Sequence, residues 1–171
     1  MAENNPMRTV KIEKVTVNMG VGQTGEELKK AVTIMQKITN AKPVETVSKS
    51  KIPTWGIREG LTIGTRVTLR GKTAEDFLKG AFTAVDNQIK SRSFDKHGNF
   101  GFGIKEYIEL PNTKYDPNLG IRGLDVLVTV MRPGYRIKRR KIAKKKIPKK
   151  HLVSKEEAMN FVKSKFGVEV L

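Results

Sequence analysis

Apolar and polar residues alternate along several short runs of this chain, and those runs are separated by stretches in which the apolar period lengthens to three and four. In VTVNM, Val15, Val17 and Met19 share one face and Thr16 and Asn18 the other. LTIGTRVTLRG repeats the pattern, with Leu61, Ile63, Val67 and Leu69 opposed to Thr62, Arg66, Thr68 and Arg70. GLDVLVTVMR sets Leu124, Val126, Val128 and Val130 on one side. Together with GIKEYIEL and the short PVETV, these runs predict a set of about five strands. Alternation of period two marks strands buried on one face only, which favours an antiparallel or mixed sheet with helices on that face. The opposite face is expected to be rich in Thr, Asn and Arg and to carry no large apolar residue. It is either an ordinary solvated surface or a place where something polar is bound.

Three helices are predicted, each announced by a hydroxyl residue with an acid three positions on, the pattern in which the two cap each other's backbone N–H groups. Thr24 with Glu27 precedes Leu28, Val32, Met35 and Ile38. Thr73 with Asp76 precedes Phe77, Leu78, Ala81, Val85 and Ile89. Ser154 with Glu157 precedes Ala158, Phe161, Val162 and Phe166, giving a C-terminal helix at about 154–166. These stripes have helical spacing and are read as core.

Charge then changes the picture. The 171 residues include 34 Lys and Arg against 17 Asp and Glu, a net charge of +17. A chain this basic calls for a polyanionic partner, nucleic acid first. The excess concentrates in RPGYRIKRRKIAKKKIPKK, residues 132–150, where 11 of 19 residues are Lys or Arg and none is acidic. Such a block repels itself and is expected to be poorly ordered alone. It is read either as a solvated or targeting segment or as an arm that neutralises phosphates, and its apolar residues are too few for an amphipathic membrane stripe. No apolar run approaches the roughly 20 residues of a membrane span, and MAENNPMRTVKIEK has no secretory core, so the chain is expected to be soluble and intracellular.

Catalytic chemistry finds no foothold. There is no cysteine, and His97 and His151 are far apart among basic and loop residues, so neither a metal centre nor a disulfide is expected. GVGQTG, with Gly20, Gly22, Gly25 and Glu45 twenty positions further, matches the spacing of a dinucleotide fingerprint. The strand before it is not the continuous apolar run that a doubly covered parallel strand requires, because Thr16 and Asn18 interrupt it. The glycines are read as turn residues whose N–H groups remain able to hold an RNA phosphate. GKT at Gly71–Thr73 lacks the earlier glycine of a P-loop, since Arg66 stands there. An enzyme built on GVGQTG and a free-standing chromatin-type protein remain the competing readings.

VTVNMGVG, IREGLTIGTRVTLRG, SFDKHGNFGFGIKEYIELP and IRGLDVLVTV occur in that order, and together they resemble the large-subunit ribosomal protein L5 family in its archaeal form. The likeness runs over about residues 8–131, and one ordered set of motifs is far more specific than any single one. It implies a single α+β domain over 1–171, with a curved, mainly antiparallel sheet and helices packed on one face, and a basic extension at 132–150. It implies a non-enzymatic constituent of the large subunit, in the cytoplasm, without cofactor or metal. The implied partners are 5S rRNA in the central protuberance, P-site tRNA, 23S rRNA and neighbouring ribosomal proteins of both subunits, with a bridge to the small subunit and the chain a monomer within the ribosome.

Residue by residue, the resemblance sets Asn18 and Thr68 on the 5S-facing side of the sheet, beside Arg66 and Arg70. A glutamine of the bacterial members that joins this surface corresponds to Ala41 here. The tRNA-approaching loop corresponds to about Ser48–Gly60. Lys49, Ser50, Lys51 and Arg58 suit backbone contacts there, and Trp55 offers a flat face to a sugar or base, contacts that tolerate any tRNA sequence. Trp55 has the alternative of folding back over the sheet edge. Arg136, Lys138, Arg139, Arg140, Lys141, Lys144, Lys145 and Lys146 are candidates for additional rRNA contacts.

Overall fold

A computed structural model of the chain describes residues 5–111 and 113–171, so the expectation attached to the first four residues lies outside the described part. Five strands form one antiparallel sheet: β1 (Lys11–Gly20), β2 (Val44–Val47), β3 (Thr62–Leu69), β5 (Phe100–Ile104) and β6 (Leu124–Met131), in the order β2-β3-β1-β6-β5. Between and after them come α1 (Glu26–Thr39), α2 (Gly71–Thr83) and α3 (Lys155–Phe166). Two short strands, β4 (Gln88–Ile89) and β7 (Glu169–Val170), pair in parallel away from the main sheet.

The alternation in the sequence is the alternation of burial. Val15, Val17, Met19, Val67, Leu69, Leu124, Val126, Val128 and Val130 are all buried on the face that α1 and α2 cover. Burying each such valine or leucine contributes about 1.5–3 kcal/mol relative to leaving it in water. α3 joins the same core through Ala158 and Val162, and the Phe166 ring meets Phe82 edge-on at 5.1 Å. Gly64 sits where three strands crowd together: a Cβ there would lie 2.9 Å from the Met19 carbonyl oxygen and from the Thr46 hydroxyl, so β3 can lie flat between β1 and β2 only without a side chain.

Of the three predicted caps, the one at α3 forms: the Ser154 hydroxyl accepts from the Glu157 N–H, and the Glu157 carboxylate accepts from the Ser154 N–H. At α1 the N-cap is Gly25, at φ 92°, and Thr24 lies one residue too early. Glu27 is drawn instead into ion pairs with Lys30 and Arg122. At α2 the helix starts at Gly71, with Arg70 as an extended N-cap, so Thr73 falls inside the first turn. The buried stripe of α1 is Leu28, Ala31, Ile34 and Met35, with Val32 and Ile38 at its margin. Helix α2 stops at Thr83, because Asp86 and Asn87 adopt left-handed backbone angles. Val85 therefore lies beyond the helix, and Ile89 reaches the core from β4. The strand expected at GIKEYIEL lies earlier, at Phe100–Ile104, and Tyr107–Glu109 is a 3-10 turn that buries Tyr107.

Candidate nucleic-acid interface

The strand register brings the polar residues of the sheet into rows. Thr16 lies opposite Thr68 across the β1–β3 pair, and Asn18 lies opposite Arg66. On the other side of β1, Asn18 faces Asp125 and Thr16 faces Leu127. Arg66, Thr68 and Arg70 are exposed and Asn18 is half-buried. Among the described residues, none of these four side chains makes a hydrogen bond or an ion pair, so their polar groups point outward uncommitted. Lys14, paired with Thr129 beside a bulge in β1, adds a cation to the same face.

This face also holds apolar residues, contrary to expectation. Leu127 is 50% exposed in its middle and Val44, opposite Arg66, is 57% exposed. Sequence alternation hid Leu127 because β6 reads apolar at every second position and again at 127. The surface therefore offers hydroxyls, an amide and cations around apolar side chains, a composition that suits a sugar–phosphate surface with some apolar contact.

Residues 48–60 form a small closed hairpin. Ile52 and Ile57 exchange backbone hydrogen bonds at 2.8 and 3.1 Å, and Pro53–Trp55 makes a 3-10 turn that reverses at Gly56, φ 66°. Its base is tied where the Ser48 N–H donates to the Leu61 carbonyl and the Gly60 N–H to the Ser48 carbonyl. Ile57 is buried and anchors the hairpin, while Trp55 stands 71% exposed at the tip. Trp55 does not fold back over the sheet edge. Lys49, Ser50, Lys51 and Arg58 are all exposed around it.

The basic block is folded against the body at several points. Arg132, with a side chain only 8% exposed, donates to Glu157 at 2.6 Å. Arg139 pairs with the carboxylate of Glu13, whose side chain is 6% exposed at the β1 bulge. The hydrogen bond to Glu13 holds the Arg139 guanidinium above its already high ordinary pKa. The Tyr135 hydroxyl accepts from the Val153 N–H at 3.1 Å and donates to the His151 carbonyl at 3.3 Å. Burial pushes the Glu157 carboxyl up, but the Ser154 N–H and the Arg132 charge outweigh it and leave its pKa lowered. Arg136, Lys138, Arg140, Lys141, Lys144, Lys145 and Lys146 remain exposed on the outside of this folded segment.

The glycine turn after β1 is differently employed. The N–H groups of Val21 and Gly22 both donate to the Ile63 carbonyl at 2.9 Å, so they serve the β1–β3 junction and are not free for a phosphate. Ala41 packs partly buried against the core. Among the described residues there is no cluster of His, Asp and Glu able to hold a metal ion, and no helix is long and apolar enough to cross a membrane.

An α+β chain that turns an uncommitted polar sheet face and an ordered cationic segment outward has the surface expected of the class of polyanion-binding proteins. Two family models cover nearly all of it: that of ribosomal protein L5 matches residues 5–58, and that of the C-terminus of the same ribosomal family matches residues 62–161. The large ribosomal subunit protein uL5 of Sulfurisphaera tokodaii is 52% identical over 168 residues, 98% of this chain and 95% of that protein. That of Methanococcus aeolicus is 53% identical over 171 residues, covering 98% and 94%. The chain belongs to the uL5 family of large-subunit ribosomal proteins. Its role is structural and not enzymatic, which removes the dinucleotide-enzyme reading, and its place is the large subunit of the ribosome.

Proposed function

We propose that this chain binds 5S rRNA through the exposed face of its sheet and fastens it in the central protuberance. In this reading Asn18, Arg66, Thr68 and Arg70 make the 5S contact. The hairpin around Trp55 approaches P-site tRNA, and the outer cations of residues 136–146 meet further rRNA, including 23S rRNA. The chain acts as one RNA-binding unit, a monomer among neighbouring ribosomal proteins, and contributes to a bridge to the small subunit. The observation that carries the reading is the row Thr68–Thr16 beside Arg66–Asn18, four adjacent side chains whose polar groups have no partner among the described residues. Such groups lose little by leaving water only if a partner replaces it.

The test is the pair of substitutions Asn18→Ala and Thr68→Val. Each removes polar atoms without touching the buried face, so thermal stability should stay at the wild-type value. Binding to purified 5S rRNA should weaken by about 1–3 kcal/mol for each. Wild-type affinity in both variants would show that the sheet face is merely solvated.

A further inference from the structure

A cavity of about 300 Å³ opens between the β1 bulge, the end of β6, the 95–99 turn and the folded basic segment. Its lining is mixed. Beside the polar His97 and Asn99, the half-buried Tyr135 and Leu152 give it an apolar wall, and the exposed Lys138 and Lys146 also line it. Glu13 also lines it, but Arg139 is paired with that carboxylate, so the buried acid does not repel an anion. The Tyr135 hydroxyl is committed to residues 151 and 153, so Tyr135 offers the cavity only its ring.

A patch of lysines alone attracts any polyanion and asks for no cavity. The apolar wall is what a phosphate by itself leaves unexplained. Unstacked RNA bases are held against aromatic and apolar side chains while cations take the adjoining phosphate. The volume lies at the lower end of the range of about 300–1,000 Å³ typical of small-molecule sites, which is the scale of one nucleotide. We propose that this cavity receives a single unstacked nucleotide of the rRNA, its base against Tyr135 and Leu152 and its phosphate between Lys138 and Lys146. This rests on the rRNA-binding reading above and adds to it a second contact, separate from the polar rows of the sheet. The ordered fold of the basic segment then has a purpose beyond carrying charge: it builds one wall of the cavity.

The test is an NMR titration of the full chain with 5′-AMP, adenosine, inorganic phosphate, a single-stranded RNA pentanucleotide and a blunt RNA duplex. The expected result is saturable shifts at the Leu152 methyls and the Tyr135 ring with 5′-AMP and the pentanucleotide. Phosphate and the duplex should leave those signals in place. Lys138→Gln/Lys146→Gln should weaken pentanucleotide binding about ten-fold, with the remaining spectrum unchanged. If phosphate reproduces the 5′-AMP shifts and the methyls are silent, the site is a simple cationic patch and the proposal is overturned. If 5′-AMP binds at micromolar concentration and the pentanucleotide does not displace it, the site serves a free nucleotide and the proposal is equally overturned. Asn18→Ala/Thr68→Val should leave the cavity shifts intact. Loss of the cavity response alone would sink this inference, whereas unchanged 5S affinity in the sheet variants alone would sink the functional reading.

Discussion

Arg139 should behave unlike the exposed lysines on either side of it in the basic segment. Its guanidinium is bonded to Glu13, a carboxylate whose side chain is 6% exposed, while Lys138 and Lys141 on either side are exposed. Arg139→Gln strips that carboxylate of its ion-pair partner. Breaking a fully buried pair costs about 3–5 kcal/mol, and a surface pair is worth about 0–1 kcal/mol. Here one partner is buried and the other is 56% exposed and screened by water, so a loss of about 1–2 kcal/mol is expected. For a chain of 171 residues that corresponds to a melting temperature lower by about 2–8 °C. Lys138→Gln and Lys141→Gln should leave the melting temperature alone. If they contact RNA, each should make the dependence of log K on log salt shallower by about 0.7. The double variant Glu13→Gln/Arg139→Gln removes both charges at once and should recover most of the lost stability. Thermal unfolding of the four variants, followed by circular dichroism, reads the outcome. If Arg139→Gln melts with the wild type and the double variant offers no recovery, Glu13 does not organise this segment.

The hairpin and α3 give further expected outcomes. Trp55, the sole tryptophan, should emit at long wavelength and be quenched by iodide in the free protein, since it is 71% exposed; blue, protected emission would contradict that placement. Replacing Lys51–Gly56 by a Gly-Ser turn, with Ile57 retained, should spare folding and 5S binding yet loosen P-site tRNA on ribosomes; wild-type tRNA retention would refute the tRNA role. The Glu157 carboxyl is held below its ordinary value of 4.5, so its stabilising contribution is complete above that pH and is lost as pH falls through its lowered folded value. The stability gap between wild type and Glu157→Gln should therefore be widest near neutrality and close in acid; a gap that widens on acidification would reverse the assignment.

What was legible in the sequence was the alternation. Val15, Val17, Val67 and Leu69 went to the core, and Asn18, Arg66 and Thr68 to the opposite face, because a period of two leaves a strand no other way to bury one side. Helix starts were less legible. A hydroxyl followed by an acid three residues on describes Thr24–Glu27 and Ser154–Glu157 equally well. At the first, Gly25 takes the cap position through its positive φ, and Arg122, 95 residues along the chain, takes the acid. Ile89 continued the helical period of α2 by coincidence and reached the core from a strand. The charge run was the least legible part. A count of lysines and arginines cannot tell Arg132 and Arg139, which meet acids at Glu157 and Glu13, from Lys144–Lys146, which face solvent. Those partners lie 25 and 126 positions away, and only the folded chain brings them together. The 50% exposure of Leu127 likewise depends on which side of β6 the helices cover.

The parallel pairing of β4 with β7 has a bearing on the order in which the chain matures. All five strands of the main sheet, and both helices against it, have left the point of synthesis soon after Met131. Gln88 and Ile89 must then wait for Glu169 and Val170, an interval of about 2–8 s at 5–20 residues per second. Glu157, the partner of Arg132, also comes late in the chain, so this contact holding the basic segment against the body is drawn from residues made after the whole main sheet.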